Sequence, residues 1–328
     1  MTKPALTTDQ VPFTYTQSKT SDADEHAACL TNWQQRYDQL TAGTFAGEFE
    51  EICFGPVQLF REALNQTVHQ CGAAWKGSRT FAVPIAIEGT GWFGGEAYGA
   101  DSMLTLGTDD ELDFRTPRQL EILAFTVDSS ALNAYAMQVD HRNLEAELKD
   151  CRLAPINPSQ MKAFGALLGT MMASLRATPE LLRHVYMRKA MEQGLFAALL
   201  DALISPGERP AATAPGSARQ LIVARARELM EAHIDEAITV ADLCIELGVS
   251  RRTLQYSFQD VLDLTPIKFL RAIRLNAVRR ALKAASPDGH TTVADIAARW
   301  GFWHLSHFAA EYKTMFDELP SETLRRAD

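Results

Sequence analysis

One segment of this 328-residue chain is written twice, and that repeat constrains the fold more than any other feature. "TVADLCIELGVSRRTLQYSF" starts at Thr239, and "TVADIAARWGFWHLSHFAAEY" starts at Thr292, 53 residues later. In the first copy Val240, Leu243 and Leu247 recur at helical spacing and predict the inner face of a short helix. Gly248 follows where a sharp turn needs a positive φ, which a residue with a Cβ adopts only at a cost of about 1 kcal/mol or more. Ser250 is a natural N-cap for a second helix, whose buried stripe is Leu254, Phe258 and Leu262. Arg251, Arg252, Gln255 and Tyr256 are then left facing outward. The second copy repeats the plan with Val293, Ile296 and Trp300 inside, Gly301 at the turn, and Phe308, Tyr312 and Phe316 as the stripe. Downstream, "VLDLTP" answers "MFDELP", so Pro266 corresponds to Pro320. Two helices with a glycine turn, the second showing polar residues outward, describe a helix-turn-helix reader of DNA. A single copy would more often be a plain αα-corner in a core. A tandem pair joined by the basic helix "IKFLRAIRLNAVRRALKA" fits two neighbouring major-groove contacts instead.

The formal charge of −9 runs against that reading only until it is mapped. Residues 217–328 carry 15 basic and 15 acidic residues, while residues 1–216 carry 17 and 26. Between Arg251 and Lys283 eight basic residues face two acidic ones, a local +6. The acidity belongs to the N-terminal part, so a phosphate-bearing partner for the C-terminal part is not excluded. Between the two lies "SPGERPAATAPGSARQ", Ser205 to Gln220, whose three prolines, two glycines and small residues have the composition of a linker. These features divide the chain into a disordered leader over 1–25, a first domain over 26–204, to which the family resemblance described below assigns effector binding and dimerisation, a linker over 205–219 and a DNA-binding domain over 220–328.

In the N-terminal part, "GEFEEICF", "PVQLFREAL", "RTFAVPIAI", "GWFGGEAYG", "SMLTLG", "DELDFRT" and "EILAFTVD" recur between Gly, Pro and Asp clusters. That rhythm predicts an antiparallel sandwich or small barrel. From Ser159 the period changes. Met161, Phe164, Leu168, Met171 and Leu175 define one amphipathic helix, and Val185, Met191, Leu195, Leu199 and Leu203 another. Such helices can cover the sheet or pair with a second subunit, and the sequence leaves both open.

Residues from about 220 to 326 resemble the DNA-binding domain of the AraC-type (AraC/XylS) transcriptional regulators. "DLCIELGVSRRTLQYSF", "RLNAVRRAL", "DIAARWGFWHLSHFAAEYKTMF" and "LPSETLRR" carry the likeness together. The resemblance implies an all-α domain with two helix-turn-helix units joined by a long helix, both units entering the major groove of promoter DNA. Its reading positions fall on Arg252, Gln255 and Tyr256, beside Arg251, in the first unit. In the second they fall on Leu305, Ser306, Ala309 and Ala310, beside His304. Arg271, Arg274 and Arg279 of the joining helix are the expected phosphate contacts. The family commonly has Gly where Asp263 and Asp317 stand, and often Asp at His304. Asp tolerates the left-handed conformation nearly as well as any non-glycine residue.

"LTNWQQRYDQLTAGTFAGEFEEI", "VQLFRE" and "WGFWHLSHFA" also resemble one branch of that family, the ethanolamine-utilisation operon regulators and their relatives. That resemblance implies a cupin-like β-barrel that binds an effector, two helices for a homodimer, and a cobalamin co-effector in the ethanolamine branch. It also implies activation of a catabolic operon for an amine or aromatic compound, with RNA polymerase as a partner. The segment lacks the paired histidines and glutamate by which metal-bearing cupins hold an ion, so no metal is expected there. Trp75, Phe81, Trp92, Phe93 and Tyr98 are candidates for an aromatic pocket wall, with Arg61 and Glu88 as polar anchors. Such a cage with a carboxylate suits an ammonium group, although the same aromatics can simply fill a core.

Other classes leave weaker traces. No GxSxG elbow, GxxxxGK loop or HExxH motif occurs, so the expectation is no enzyme, with a small-molecule enzyme or a structural interaction protein as the alternatives. His304 and His307 are three apart without a carboxylate or cysteine placed to complete a metal site. The five cysteines form no CxxC pair and suit a reducing cytoplasm. No apolar run approaches the roughly 18 residues of a membrane span.

Overall fold

The computed structural model describes residues 13–203 apart from His184, and 218–234, 238, 240–285, 292–302 and 305–326. Eleven strands occupy the N-terminal part: β1 (Thr14–Thr20), β2 (Gln34–Gln39), β3 (Gly47–Phe54), β4 (Val57–Leu64), β5 (Val68–Ala73), β6 (Ser78–Glu88), β7 (Gly91–Phe93), β8 (Glu96–Tyr98), β9 (Leu104–Leu106), β10 (Leu112–Arg115) and β11 (Gln119–Asp128). A short helix α1 (Ala23–Ala27) follows β1. All described pairings are antiparallel, in a six-stranded sheet ordered β1-β3-β4-β11-β6-β9 and a five-stranded sheet ordered β2-β5-β10-β7-β8. Each run that the alternation marked holds a strand, and GWFGGEAYG holds two, β7 and β8, paired as a hairpin. The unforeseen strands are β1, β2 and β5, whose polar sequences TYTQSKT, QQRYDQ and VHQCGA hide the period.

Of the leader expected over 1–25, residues 14–20 form β1 and residues 23–25 begin α1. β1 pairs along its whole length with β3, from Thr14 opposite Cys53 to Thr20 opposite Gly47. It is an edge strand with several exposed side chains, which is why its sequence shows no apolar face.

The six-stranded sheet is buried on both faces. Phe49 and Phe60 point towards the other sheet, where Phe93, Phe114 and Leu112 meet them. Ile52, Leu59, Phe81, Leu123 and Phe125 point the other way, against helices. Those helices are α2 (Ser129–Asp140), α3 (Leu144–Glu147), α4 (Pro158–Ala177) and α5 (Val185–Ala202). Asn157 caps α4 and Pro158 occupies its first turn, where a missing N–H costs nothing. Met161, Phe164, Leu168 and Leu175 of α4 and Leu195 and Leu199 of α5 are buried on this sheet. Between the alternatives the sequence left open, these stripes cover the sheet.

The C-terminal part is helical: α6 (Ala218–Ala232), α7 (Val240–Leu247), α8 (Arg251–Leu262), α9 (Pro266–Ala284), α10 (Val293–Arg299), α11 (Leu305–Phe316) and α12 (Pro320–Arg325). α9 is its spine. Phe269 and Ile273 join a core with Val223, Leu243, Leu254 and Phe258, while Leu275, Val278 and Leu282 join a second with Ile296, Phe308 and Tyr312. Both turn glycines adopt positive φ, +63° at Gly248 and +80° at Gly301. Ser250 caps α8 by accepting a hydrogen bond from the Thr253 amide, as its position predicts. Asp263 and Asp317 end α8 and α11 in the left-handed region, at φ 52° and 59°. The proposed linker over 205–219 lies outside the described residues up to 217, and its last two residues belong to α6.

Phe164 packs edge-on against Phe125, with ring centroids 5.7 Å apart, at the centre of the sheet–helix core. Phe164→Ala should destabilise the N-terminal part by about 3–5 kcal/mol, read as a lowered denaturant midpoint at an unchanged slope.

Candidate functional site

The two glycine-turned pairs, α7–α8 and α10–α11, bury their apolar stripes in the two cores that α9 separates. The rotation that buries Leu254 and Phe258 exposes Arg251, Gln255 and Tyr256, the last 49% accessible. On α11 Leu305 and Ala310 are exposed and Ala309 is half-buried, so this face is apolar and small. His307, which the sequence reading did not select, is exposed there and lies 3.3 Å from Glu311. His304 lies outside the described residues, as do the side chains of Arg252 and Ser306.

The arginines of α9 split between two destinations. Arg271 is solvent-facing and pairs with Glu311 at 2.6 Å. Arg274 is half-buried, donating to the Ile238 carbonyl at 3.2 Å. Both line an open cleft between the two helix pairs, with Arg251, Ile267 and Trp300. Burial and the neighbouring Arg271 charge pull the Arg274 guanidinium below its ordinary range.

Arg279 does not join them. It is 8% exposed, paired with Asp22 at 3.0 Å and Glu318 at 2.8 Å, and stacked over Phe316. This corrects its expected role at the phosphate backbone, because α9 turns that side to the N-terminal part and not to solvent. Arg280 binds Asp24 at 2.7 Å, Asp38 at 2.6 Å and the Tyr37 carbonyl at 2.8 Å. Lys283 binds Asp22 at 2.5 Å. Asn276 accepts from the Gln39 amide at 3.1 Å and donates to the Gln39 carbonyl at 3.0 Å. A second patch joins α6 to the five-stranded sheet, with Arg227 on Asp113 at 2.6 Å and Arg36 on Glu231 at 3.2 Å. Apolar contact completes the seam, since Leu40 and the partly buried Trp92 pack into the α6–α9 core.

Within the N-terminal part a small cavity of about 40 Å³ lies between the sheets. Trp33, Tyr37, Phe49, Phe60, Phe93 and Phe114 are the aromatic part of its wall. Its charged member is Glu62, buried and accepting from the Tyr37 hydroxyl at 2.7 Å and from Gln70 at 3.2 Å, with His26 Nε2 also 3.2 Å away. Burial, reinforced by Glu62, raises the Tyr37 phenol well above its ordinary value, so Tyr37 stays a donor.

Of the expected pocket residues, Phe93 lines this cavity and the others do not. Phe81 faces the helices, stacked on Phe125, and Trp92 faces the C-terminal core. Trp75 donates to Gln58 outside the wall, while Tyr98 packs behind Phe114. Arg61 points to the opposite face of β4, held by Glu121 and Glu48, and Glu88 is exposed at the end of β6. Glu62 stands one residue from Arg61, and on a strand one residue changes the face. The alternation with Phe60 was the signal for it.

Comparison with known proteins agrees with this geometry. Residues 243–326 match the helix-turn-helix domain family. The chain is 44% identical over 104 residues to the "Probable thc operon regulatory protein" of Rhodococcus erythropolis, covering 32% of this chain and 31% of that protein. It is 30% identical over 100 residues to the "XylDLEGF operon transcriptional activator 2" of Pseudomonas putida, covering 30% and 63%. A solved structure of a probable AraC family transcriptional regulator from Rhodopseudomonas palustris CGA009 is 37% identical, covers 33% of this chain and 97% of that one, and aligns with a TM-score of 0.31. The matches thus span less than two thirds of the curated relatives' length. The C-terminal part is a DNA-binding helix-turn-helix domain. It is similar to the matching parts of these transcriptional regulators. Among the described residues no helix is long and apolar enough to cross a membrane.

Asp22 tests the seam. Burial alone would raise its carboxyl, but Arg279 and Lys283 overcome that and hold it below the ordinary range. A lowered native value contributes stability that is complete above the unfolded value of about 3.9 and is lost as pH falls through the native one. Asp22 also caps α1 through Oδ1, a role asparagine retains. Asp22→Asn should therefore cost about 1–3 kcal/mol at pH 7. In melts recorded against pH, the gap from the parent should close below the ordinary carboxylate range.

Proposed function

We propose that the protein is a sequence-specific, effector-responsive regulator of transcription of the AraC/XylS type, acting on double-stranded promoter DNA. The observation that carries this reading is the pair of glycine-turned helix units on one spine, with Arg251, Gln255 and Tyr256 presented outward from α8. Arg252 and Gln255 read bases in the first unit. The second unit, with Leu305, Ala309 and Ala310, reads thymine methyls or groove shape, and Ser306 and His304 complete it. Lys268, Arg271 and Arg274 contact phosphates, while Arg279 and Arg280 belong to the seam. In this reading 218–326 form the DNA-binding domain and 13–203 the effector and dimerisation domain.

The sheet pair is a cupin-like barrel in this proposal, and its cavity holds the effector. A buried carboxylate ringed by aromatic side chains favours a ligand with a cationic nitrogen, which gains both ion pairing and cation–π attraction. An amine effector of a catabolic operon fits this wall better than an aromatic acid, whose carboxylate would meet Glu62. The ethanolamine branch has only its local sequence likeness behind it, and cobalamin has no further support. Homodimerisation would raise the effective concentration of a second reader pair and tighten binding to a repeated site. RNA polymerase is the partner that an activator of this type would engage.

Two substitutions test the halves separately. Gln255→Ala should relax preference at one base pair and cost about 1–3 kcal/mol on the cognate promoter, measured by fluorescence anisotropy of labelled upstream DNA. Unchanged affinity and unchanged preference would remove α8 from the groove. Glu62→Gln should leave DNA binding without effector intact while abolishing the amine-induced change. An undiminished response would place the effector elsewhere.

A further inference from the structure

At the seam two side chains of β5 and one of α6 converge on a common point. His69 and Cys71 are two residues apart on β5 and therefore share a face, and Glu231 stands near the end of α6. One donor atom from each of the three lies within 4.8 Å of the other two. Cys71 Sγ is 3.4 Å from His69 Nδ1 and 3.9 Å from Glu231 Oε1. Tetrahedral zinc, with bonds of about 2.3 Å to sulfur and 2.0–2.2 Å to nitrogen and oxygen, holds such donors about 3.5 Å apart.

The surroundings hold the ligands in place. His69 Nε2 lies 3.1 Å from Asp113 Oδ1 and 3.2 Å from Cys71 Sγ, and it also meets the Arg227 guanidinium. The second oxygen of Glu231 is held by Arg36 at 3.2 Å, leaving Oε1 directed at the sulfur. A cleft opens beside the group, lined by Cys71, Asp113, Glu111, Glu228 and Glu231, which gives a cation an acidic path inward and a free coordination position.

We propose that His69, Cys71 and Glu231 bind a thiophilic divalent cation of the zinc class, with Asp113 orienting His69. Thiolate, imidazole and carboxylate together select zinc or cobalt over magnesium or calcium, which require oxygen ligands. Binding displaces the thiol proton of Cys71 to solvent and forms the metal–sulfur bond in its place, with no change of oxidation state. Arg227 is the opposing feature, since it holds Asp113, meets His69 Nε2 and comes within 3.9 Å of Cys71 Sγ, so the cation binds by displacing it from the histidine. With the thiol protonated, Arg36 and Arg227 balance Asp113 and Glu231. The cation then adds one net positive charge, which the carboxylates of Glu111 and Glu228 at the cleft mouth offset. Because β5 belongs to the N-terminal part and α6 to the DNA-binding domain, the ion would fasten one to the other.

The test uses the full chain, freed of any affinity tag and treated with a chelator, titrated with zinc against a chromogenic competitor and separately with cobalt. One equivalent should bind per chain, and cobalt should give a thiolate charge-transfer band. Cys71→Ser and Glu231→Gln should each weaken binding at least about tenfold, and Cys71→Ser should remove the band. Cys244→Ser, outside the group, should change neither. Absence of a stoichiometric site would overturn the proposal. So would a site whose affinity and spectrum survive both Cys71→Ser and Glu231→Gln, since the ion would then lie elsewhere. The readout needs no DNA, so its failure leaves the regulatory reading standing.

Discussion

Asn276 fixes the relation between the two parts of this molecule. Its buried amide exchanges two hydrogen bonds with the backbone of Gln39 and a third with the Ala272 carbonyl of its own helix. A primary amide carries its acceptor and its donor on two separate atoms of one plane, matching the N–H and C=O of one residue, so the contact sets the position of α9 along β2. Around it Arg279, Arg280 and Lys283 meet Asp22, Asp24 and Asp38. Taking these charges out of water costs free energy, which their mutual attraction and hydrogen bonds offset once they are held in register. Removing one carboxylate leaves a buried cation facing fewer anions, which makes the seam cooperative.

That seam also accounts for the uneven charge of the chain. The acidic N-terminal part spends some of its carboxylates neutralising the back of a basic helix whose front lies between the two helix-turn-helix pairs. Three of the eight basic residues between Arg251 and Lys283 are held in this way. The field offered to a polyanion is therefore smaller than the local +6 suggests, and it depends on whether the seam is closed. β2 connects this surface to the cavity. The Tyr37 hydroxyl binds Glu62 inside, while its carbonyl accepts from Arg280 outside. A ligand that competes for Glu62 would thus act on a residue one peptide unit from Asp38 and two from Gln39, both of them seam contacts. This is a short route by which occupancy of the cavity could bias the position of α9.

The C-terminal part was legible because its helices are amphipathic and punctuated. Leu254, Phe258, Phe308, Tyr312 and the two glycines announce both packing and turn through spacing alone. The strands carrying Phe49, Phe81 and Phe125 were legible for the same reason. Strands β1, β2 and β5 were not, because their stability comes from pairing and from buried polar contacts such as Tyr37 to Glu62 and Arg36 to Asp38. Hydrophobic alternation is silent where a buried face is built from polar residues.

The sequence by itself determined which residues form each element and which side of a helix is apolar, since those follow from local periods of 3.6 and 2. It determined the tandem helix pairs and the left-handed aspartates that end α8 and α11. Only the tertiary structure decided what each exposed face meets. Arg274 and Arg279 are both polar positions of one helix, yet one borders the cleft between the helix pairs and the other is enclosed by Asp22 and Glu318. Arg61 and Glu62 are sequence neighbours, yet one lies on the helix-covered side of the sheet and the other lines the cavity. Periodicity assigns a residue to a side of its own element. The identity of the neighbour on that side comes from contacts between segments distant in sequence, some more than 200 residues apart, which no local pattern encodes.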